Sequence, residues 1–124
     1  MARVFITGSS DGLGLAAAQS LLGDGHDVVL HARSKRAAET QIAELGAAKV
    51  VIGDLASAKE TRGVADQVNA LGRMDAVVHN AGIYTTPDRG STPEGHATLL
   101  AVNTLAPYIL TALIERPADR KSVV

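Results

Sequence analysis

The sequence predicts an α/β fold in which the strands of a doubly wound parallel sheet alternate with helices along the chain. Short apolar runs recur at Val4–Ile6, Val28–Leu30, Val50–Ile52 and Ala76–Val78. They are continuous rather than alternating, which is typical of parallel strands that are covered on both faces. The segments between them place apolar residues at helical spacing. The resulting order β-α-β-α-β-α-β indicates a parallel sheet with right-handed crossovers.

Each of the three segments between the runs has apolar residues that share one helical face. In chain order, these faces comprise Leu13, Ala17 and Leu21; Ala38, Ile42 and Leu45; and Val64, Val68 and Leu71. Ser57 and Glu60 fit a capping box at the start of the third helix. The glycines of Gly23–Gly25, Gly46 and Gly72 lie where the helices are expected to end.

A polar loop rich in Thr, Pro and Gly follows the fourth run, with the sequence YTTPDRGSTPEG. Beyond it, the pattern predicts a further helix from about Glu94 to Glu115, with Asn103 and Pro107 inside it. The chain shows no internal repeat, low-complexity tract or linker.

The stretch ITGSSDGLGL, from Ile6 to Leu15, has a G-x-x-x-G-x-G pattern between the first predicted strand and the first predicted helix. A helix N-terminus offers an anion unpaired backbone N–H groups and positive dipole potential. Glycine permits a turn with positive φ and lets a pyrophosphate approach where a Cβ would intrude. The pattern predicts a phosphate-binding turn, and the alternative is an ordinary strand-to-helix turn.

A mononucleotide site at this turn makes the first strand central in the sheet. The second and third strands then lie on one side of it and the fourth lies on the other side. Ligands of such sheets bind at this switch point, beyond the carboxyl ends of the strands. The candidate site therefore consists of the segments that follow the strands, Thr7–Gly14, Ala32–Lys35, Asp54–Leu55 and Asn80–Gly82.

Composition restricts the classes of function. With 124 residues the chain is at most one domain, and its net charge of −1 offers no basic field for nucleic acid or anionic lipid. Cysteine is absent, and His26, His31 and His96 lack metal-ligand spacing, so no metal site is expected. No apolar run approaches a membrane span or a signal-peptide core. We therefore expect a soluble cytoplasmic protein with no nucleic-acid or membrane partner.

The motifs TGSSDGLG, GDL, HNAG and AVNTLAPYILT, in this order and spacing, resemble the N-terminal half of a short-chain dehydrogenase/reductase. The resemblance covers about Val4 to Pro117 and implies a Rossmann-type doubly wound parallel sheet, truncated after about four strands. It also implies a small carbonyl or alcohol substrate and a homo-oligomeric parent protein. It implies that a nicotinamide cofactor is bound by Gly8, Ser9, Ser10, Gly12, Leu13, Gly14, Asn80, Ala81 and Gly82.

The end of the second strand indicates which nicotinamide cofactor binds. Ala32 stands where the family's acidic residue would accept hydrogen bonds from the 2′-hydroxyl of NAD. Arg33 and Ser34 follow, and a guanidinium can hold a 2′-phosphate through two hydrogen bonds, so we expect NADP rather than NAD. Asp11 argues the other way, because many NADP-using relatives have a basic residue there. The alternative for Arg33 is a solvated basic helix start. His31 is expected to be packed or solvated, and the alternative is that it approaches the adenosine.

The resemblance implies roles for three more residues. Asp54 would accept a hydrogen bond from the adenine amino group while the N–H of Leu55 donates to the ring, and the alternative for Asp54 is a turn residue. Asn103 would belong to the catalytic set by holding a water of the proton relay at a helix kink. The alternative for Asn103 is a polar residue tolerated beside Pro107. His79 replaces the usual Asn and is expected to be a hydrogen-bonded packing residue.

The family's hydride transfer also needs a Ser and a Tyr-x-x-x-Lys pair, which belong to the fifth strand and the helix after it. Neither Tyr84 nor Tyr108 has a Lys four residues later. We therefore expect an NAD(P)-dependent oxidoreductase of this family that is present as its cofactor-binding half. The alternatives are a catalytically inactive NADP-binding module and a nonfunctional gene fragment.

The C-terminal segment is expected to be non-native. Asp119–Val124 match a translation of a widely used sequencing-library adapter. The alternative is a truncated fifth strand that starts at Ser122. This interpretation divides the chain into an incomplete nucleotide-binding domain, residues 1–117, and a non-native tail, residues 118–124.

Overall fold

A computed structural model describes residues 1–10, 12–45, 49–83 and 90–116. Within these residues, the sheet has four parallel strands in the order β3-β2-β1-β4. The bounds of the strands are β1 Arg3–Ile6, β2 Asp27–Ala32, β3 Lys49–Ile52 and β4 Ala76–Val78. Because β1 is central, the predicted fold class and strand order are confirmed. Ile6 pairs with Leu30 on one side and with Val78 on the other, so the segments that follow these strands begin at one level.

Helices cover both faces of the sheet. The first three strands are followed by α1 (Gly12–Gly23), α2 (Lys35–Leu45) and α3 (Ala58–Ala70). One face packs against α3 and the last helix in a cluster that includes Phe5, Val29, Val51, Val64, Val68, Met74, Val77 and Leu110. The other face packs against α1 in a smaller cluster of Val4, Ile6, Ala18, Val28 and Leu30.

The buried face of α1 differs from the predicted one. Leu13 is 83% exposed, and the helix turns Gly14 and Ala18 towards the sheet instead. Leu21, from the predicted face, does pack against the core. A Cβ on Gly14 would collide with the carbonyl oxygen of Gly8, so the helix approaches the glycine turn through its smallest residues. This close approach sets the rotation of the helix, which apolar spacing alone does not predict.

In α2, the prediction holds at Ala38 and is wrong at Ile42. Ala38 is buried, whereas Ile42 is 48% exposed and its neighbour Gln41 is buried instead. Gln41 lies inside because its Nε2 donates a hydrogen bond of 3.4 Å to the carbonyl of His31. A buried polar group needs such a partner, and here the partner lies under the helix.

The helix α3 has the predicted face, with Val64 and Val68 fully buried. Half of the predicted capping box is present, since Ser57 Oγ accepts a hydrogen bond of 3.2 Å from the N–H of Glu60 while the N–H of Ser57 donates to the carbonyl of Asp54. The carboxylate of Glu60 accepts from the N–H of Asp54 over 3.2 Å. The cap therefore joins the start of α3 to the turn that follows β3.

The last helical stretch starts at Thr98, later than the predicted start at about Glu94. Glu94 lies instead in a tight turn, where the N–H of Thr92 donates to the carbonyl of His96 over 2.8 Å. The Glu94 carboxylate accepts a hydrogen bond of 2.7 Å from the N–H of Ala58. Glu94 thus caps the neighbouring helix α3 and does not begin its own.

The same stretch is interrupted rather than continuous. It consists of α4 (Thr98–Leu100), a π-helical turn (Ala101–Leu105) and α5 (Ala106–Leu113). In an α-helix the carbonyl of Asn103 would pair with the N–H of residue 107, but Pro107 has no N–H. The wider turn lies at this break, where the sequence analysis expects a kink.

Some predictions fall on residues outside the described part of the chain. They concern Asp11, Gly46, residues 84–89 of the polar loop, and the boundary and tail at residues 117–124. Across the described ranges, no helix is both long enough and apolar enough to span a membrane.

Candidate functional site

The segments that follow β1, β3 and β4 are joined at a single edge of the sheet, with His31 near the end of β2 between them. Asn80 Nδ2 donates a hydrogen bond of 3.2 Å to the carbonyl of Gly8. The N–H of Gly8 donates to His31 Nδ1 over 3.1 Å, and His31 Nε2 lies 2.7 Å from the carbonyl oxygen of Gly53. These bonds cross the sheet from the β4 side to the β3 side. The predicted site segments are therefore together in space.

Thr7 joins the glycine turn to the segment after β4, and the sequence analysis gave it no individual role. Its side chain is almost fully buried, and its Oγ1 accepts hydrogen bonds of 3.0 Å from the N–H groups of both Asn80 and Ala81. Its own N–H donates to the carbonyl of Val78 over 3.0 Å. The sequence feature that could have pointed to this role is the position of Thr7, directly between an apolar run and the first glycine of the turn.

The three motif glycines are required for different reasons. Gly8 has a φ of +63°, and a Cβ there would lie 2.8 Å from Ala81 Cα. Gly14 permits the contact between α1 and the carbonyl of Gly8 that was described above. Gly12 has a φ of +57° but nothing within 4 Å of a Cβ position. The turn is thus closely packed against the rest of the protein at Gly8 and Gly14 and has open space beside it at Gly12.

The two serines of the turn face different ways. Ser9 is fully buried, and its Oγ accepts a hydrogen bond of 2.8 Å from the N–H of His31. Its hydroxyl is therefore directed into the protein, and the backbone of Ser9 is the part that could meet a ligand. Ser10 is exposed and lies at the mouth of a cleft beside α2.

This cleft lies between the glycine turn and α2 and has a volume of about 350 Å³. Its lining residues are Ser10, Ser34, Arg36, Ala37, Thr40, Gln41 and Glu44. Ser34 caps α2, since its Oγ accepts from the N–H of Ala37 over 3.3 Å. Arg33 is exposed beside the cleft and is not among the lining residues, whereas Arg36 is. The buried Oε1 of Gln41 has no hydrogen-bond partner among the described residues.

On the β3 side, Asp54 is half-buried and Leu55 is buried. Asp54 Oδ1 accepts a hydrogen bond of 2.9 Å from the N–H of Ala56, which forms a local turn. The turn role considered for Asp54 is therefore present. The local hydrogen bond engages one oxygen of this carboxylate.

The side chain of Asn103 is exposed but makes two hydrogen bonds to the backbone of Ile83. Its Oδ1 accepts from the N–H of Ile83 over 2.8 Å, and its Nδ2 donates to the carbonyl of Ile83 over 2.7 Å. Gly82 lies against the same amide, since a Cβ there would be 3.5 Å from Asn103 Oδ1. Asn103 thus holds the segment after β4 in place.

His79 has the packing role that was expected. Its Nε2 lies 3.2 Å from Thr111 Oγ1 of α5, and burial lowers the pKa of its ring. The ring Nδ1 is buried without a partner among the described residues. Those residues also contain no group of three or more His, Cys, Asp or Glu side chains arranged to hold a metal ion.

Comparison with known proteins shows the family to which this fold and these motifs belong. The family pattern described as short chain dehydrogenase matches residues 2–122. An uncharacterized oxidoreductase of Emericella nidulans is 51% identical over 97% of this chain and 48% of its own length. A short-chain dehydrogenase of Penicillium rubens is 49% identical over 94% of this chain and 45% of its own length. The chain therefore spans about half the length of these relatives.

A short-chain dehydrogenase from Sphingobium yanoikuyae, solved in complex with NADPH, has a similar structure. The TM-score is 0.70 at 30% identity, over 92% of this chain and 47% of that one. The fold, the sequence motifs and the family match all lead to the same assignment. The chain belongs to the short-chain dehydrogenase family of NAD(P)-binding oxidoreductases.

Proposed function

We propose that this chain forms the cofactor-binding half of an NADP-dependent oxidoreductase that interconverts a carbonyl and an alcohol. The observation that carries the proposal is the joining of the turns after β1, β3 and β4 at one sheet edge, through His31 near the end of β2 and around an open glycine turn. Cofactors of doubly wound sheets bind at this edge. The matched relatives are about twice as long, so the complete reaction is proposed for the longer protein.

The glycine turn fits a pyrophosphate. The open space at Gly12 lets a ligand approach the backbone, where side chains elsewhere would hold it away. The N–H groups of Gly12, Leu13 and Gly14 lie in the first turn of α1 and have no partner within the helix. The positive end of the helix dipole adds to the attraction for an anion.

The cleft beside α2 supports a preference for NADP. Its lining includes Ser10, Ser34 and Arg36, and Arg33 is exposed directly before Ser34. These groups can donate hydrogen bonds to a 2′-phosphate, and no carboxylate occupies the position of the buried Ala32. The NADPH complex of the Sphingobium yanoikuyae relative is consistent with this preference.

On the opposite side of the cofactor site, Asp54 and Leu55 are proposed to bind the adenine ring. Asp54 uses Oδ1 locally, which leaves its other oxygen for the adenine amino group. Leu55 is buried, so its contribution is the backbone N–H rather than the side chain. Asn80, Ala81 and Gly82 are proposed to line the cleft towards the nicotinamide.

The bound nicotinamide supplies or accepts the hydride in this family's chemistry. Asn103 is proposed to hold a water through its main-chain carbonyl, because its side chain is committed to Ile83. In α-helical pairing the donor to that carbonyl would be residue 107, and Pro107 has no N–H to donate. A water can take the place of the missing donor.

Calorimetric titration with two adenosine nucleotides tests the proposal. Adenosine 2′,5′-bisphosphate and adenosine 5′-monophosphate differ by the 2′-phosphate alone, and we expect the bisphosphate to bind about 10-fold or more tightly. Arg33→Ala and Arg36→Ala should each reduce this preference, whereas Arg62→Ala on the exposed side of α3 should not. Circular dichroism must first show that each chain is folded.

Two outcomes would contradict the proposal. Equal affinity of the folded chain for the two nucleotides would remove the NADP preference. No binding of either nucleotide, nor of NADPH, would reject the cofactor site and favour a nonfunctional fragment. An unchanged preference in Arg33→Ala would remove Arg33 from the site and leave the cleft at Arg36 as the remaining candidate.

A further inference from the structure

His31 lies in β2 beneath the cofactor site and is 5% exposed. None of the roles proposed for the cofactor site involves its side chain. Its ring lies between the glycine turn after β1 and the Gly53–Leu55 turn after β3, which are the two turns proposed to hold the pyrophosphate and the adenine. The buried imidazole therefore contacts both of these turns from the side of the sheet.

The two ring nitrogens have partners of opposite type. The N–H of Gly8 can only donate, so His31 Nδ1, at 3.1 Å, must accept. The carbonyl of Gly53 can only accept, so Nε2, at 2.7 Å, must donate. The neutral ring with its proton on Nε2 satisfies both contacts. A second proton on Nδ1 would face the N–H of Gly8 and break that contact.

The backbone of His31 is fixed as firmly as its ring. Its N–H donates to Ser9 Oγ over 2.8 Å, and its carbonyl accepts from Ser9 Oγ at 3.3 Å and from Gln41 Nε2 at 3.4 Å. These bonds hold the backbone from which the ring projects, so the ring starts from a fixed point between the two turns. A change in the protonation of the ring therefore acts on its contacts with Gly8 and Gly53.

Burial favours the neutral form of the ring, whereas the charged and polar groups of the turn after β3 oppose it. Burial lowers the pKa of His31, while the carbonyl of Gly53 and the negative charge of Asp54 act in the opposite direction. The turn after β3 thus presents the charge of Asp54. The glycine turn and α2 present uncharged groups, those of Gly8, Ser9 and Gln41.

We propose that His31 is a positioning residue of the cofactor site, whose neutral ring fixes the glycine turn relative to the adenine-side turn by joining the N–H of Gly8 to the carbonyl of Gly53. The inference rests on the proposed cofactor function. It adds that cofactor binding requires the unprotonated ring, even though His31 does not contact the cofactor.

Two substitutions separate the two contacts. In His31→Asn, the amide oxygen lies near the former Nδ1 position and can accept from Gly8, but the contact with Gly53 is lost. In His31→Gln, the amide nitrogen reaches towards Gly53, but the contact with Gly8 is lost. Each variant loses one hydrogen bond, so similar thermal stabilities are expected. We expect NADPH to bind about 10-fold more weakly to His31→Gln than to the wild type, with His31→Asn between them.

The pH dependence of NADPH binding provides a readout that a merely structural role would not change. As the pH is lowered from about 8 towards the lowered pKa of the His31 ring, the wild type should lose more affinity than His31→Asn, because the variant has no ring to protonate. The 2′-phosphate of NADPH also titrates near pH 6, but it affects both proteins alike. In the wild type without cofactor, the amide resonance of Gly8 should shift with the same midpoint as the His31 ring.

The outcomes distinguish this inference from the proposed function. If the folded wild type does not bind NADPH at about pH 8, the proposed function fails and the inference fails with it. If the wild type binds but His31→Gln and His31→Asn match it in affinity and pH profile, the inference alone is wrong. If the variants do not fold, the test is the wild-type NMR titration alone. A Gly8 amide resonance that does not shift as the His31 ring titrates would contradict the proposed coupling.

Discussion

The side-chain amide of Asn103 pairs with both backbone polar groups of Ile83, over 2.8 Å at the N–H and 2.7 Å at the carbonyl. Ile83 ends the described part of the segment that follows β4. Through this pair, the π-helical turn holds the residues proposed to line the cofactor cleft. A mid-helix asparagine, which is unfavourable by propensity, is explained by this contact.

Removing the side-chain amide of Asn103 should weaken NADPH binding clearly while lowering the free energy of unfolding only slightly. Asn103→Ala is expected to lower the free energy of unfolding by about 1 kcal/mol and to weaken NADPH binding about 10-fold. Asn69→Ala is a matched control, because Asn69 makes the same paired contact far from the site, accepting from Glu115 N–H at 2.8 Å and donating to the carbonyl of Leu113 at 2.9 Å. Urea denaturation and calorimetry measure the two effects. An equal loss of NADPH affinity in both variants would refute the local role of Asn103.

Alanine should have different effects at Gly14 and Gly12 of the glycine turn, and Gly63 of α3 serves as the control. Gly14→Ala is expected to destabilise the chain by about 3 kcal/mol or more, because the new Cβ meets the carbonyl of Gly8. Gly12→Ala meets no atom within 4 Å and should cost about 1 kcal/mol through its positive φ. Gly63→Ala, in the interior of α3 with nothing within 4 Å, should be neutral or stabilising by up to about 1 kcal/mol. Thermal unfolding gives the order, and a Gly14→Ala chain as stable as Gly63→Ala would contradict the packing described.

Loss of the Thr7 hydroxyl should lower the free energy of unfolding. Thr7→Val keeps the shape of the side chain but leaves the N–H groups of Asn80 and Ala81 without their acceptor, which should cost about 2 kcal/mol. Thr7→Ser retains the oxygen and should lose less than half as much. Chemical denaturation compares the two variants. Equal losses would mean that the methyl group, not the hydrogen bonds, carries the contribution of Thr7.

Stability should fall as the solution becomes acidic. Burial lowers the pKa of both His31 and His79, so below about pH 6.5 the unfolded chain binds more protons than the folded chain. The stabilisation is therefore complete above that pH and is lost as the pH falls towards the lowered pKa values. Urea midpoints measured across this range test the direction. A double variant, His31→Asn with His79→Asn, should show a flatter profile, and a wild-type midpoint that rises on acidification would oppose this account.

The strands and their order follow from the sequence because each apolar run is long enough to form a buried strand and the glycine turn makes β1 central. The rotations of α1 and α2 do not follow from it. They depend on the close approach of Gly14 to Gly8 and on the inward hydrogen bond of Gln41, which are tertiary contacts without periodicity.

In the candidate site too, some features follow from the sequence and others depend on tertiary contacts. The motif glycines and the turns at Asp54 and Asn80 could be placed from their spacing. The roles of Thr7 and His31 could not be, because each depends on partners in other strands. Arg36, rather than Arg33, lines the cleft because the start of α2 turns residue 36 towards the glycine turn, and sequence position alone does not reveal this.

The central claim is that the turns at one sheet edge form a single dinucleotide site. Amide NMR spectra of the ¹⁵N-labelled chain, recorded during titration with NADPH, test it most directly. We predict saturable shifts concentrated in residues 8–14, 33–36, 53–55 and 80–83, with Tyr108 and Leu113 on the exposed side of α5 unchanged. A folded chain with no saturable shifts, or with shifts centred on α5 instead of these turns, would contradict the account.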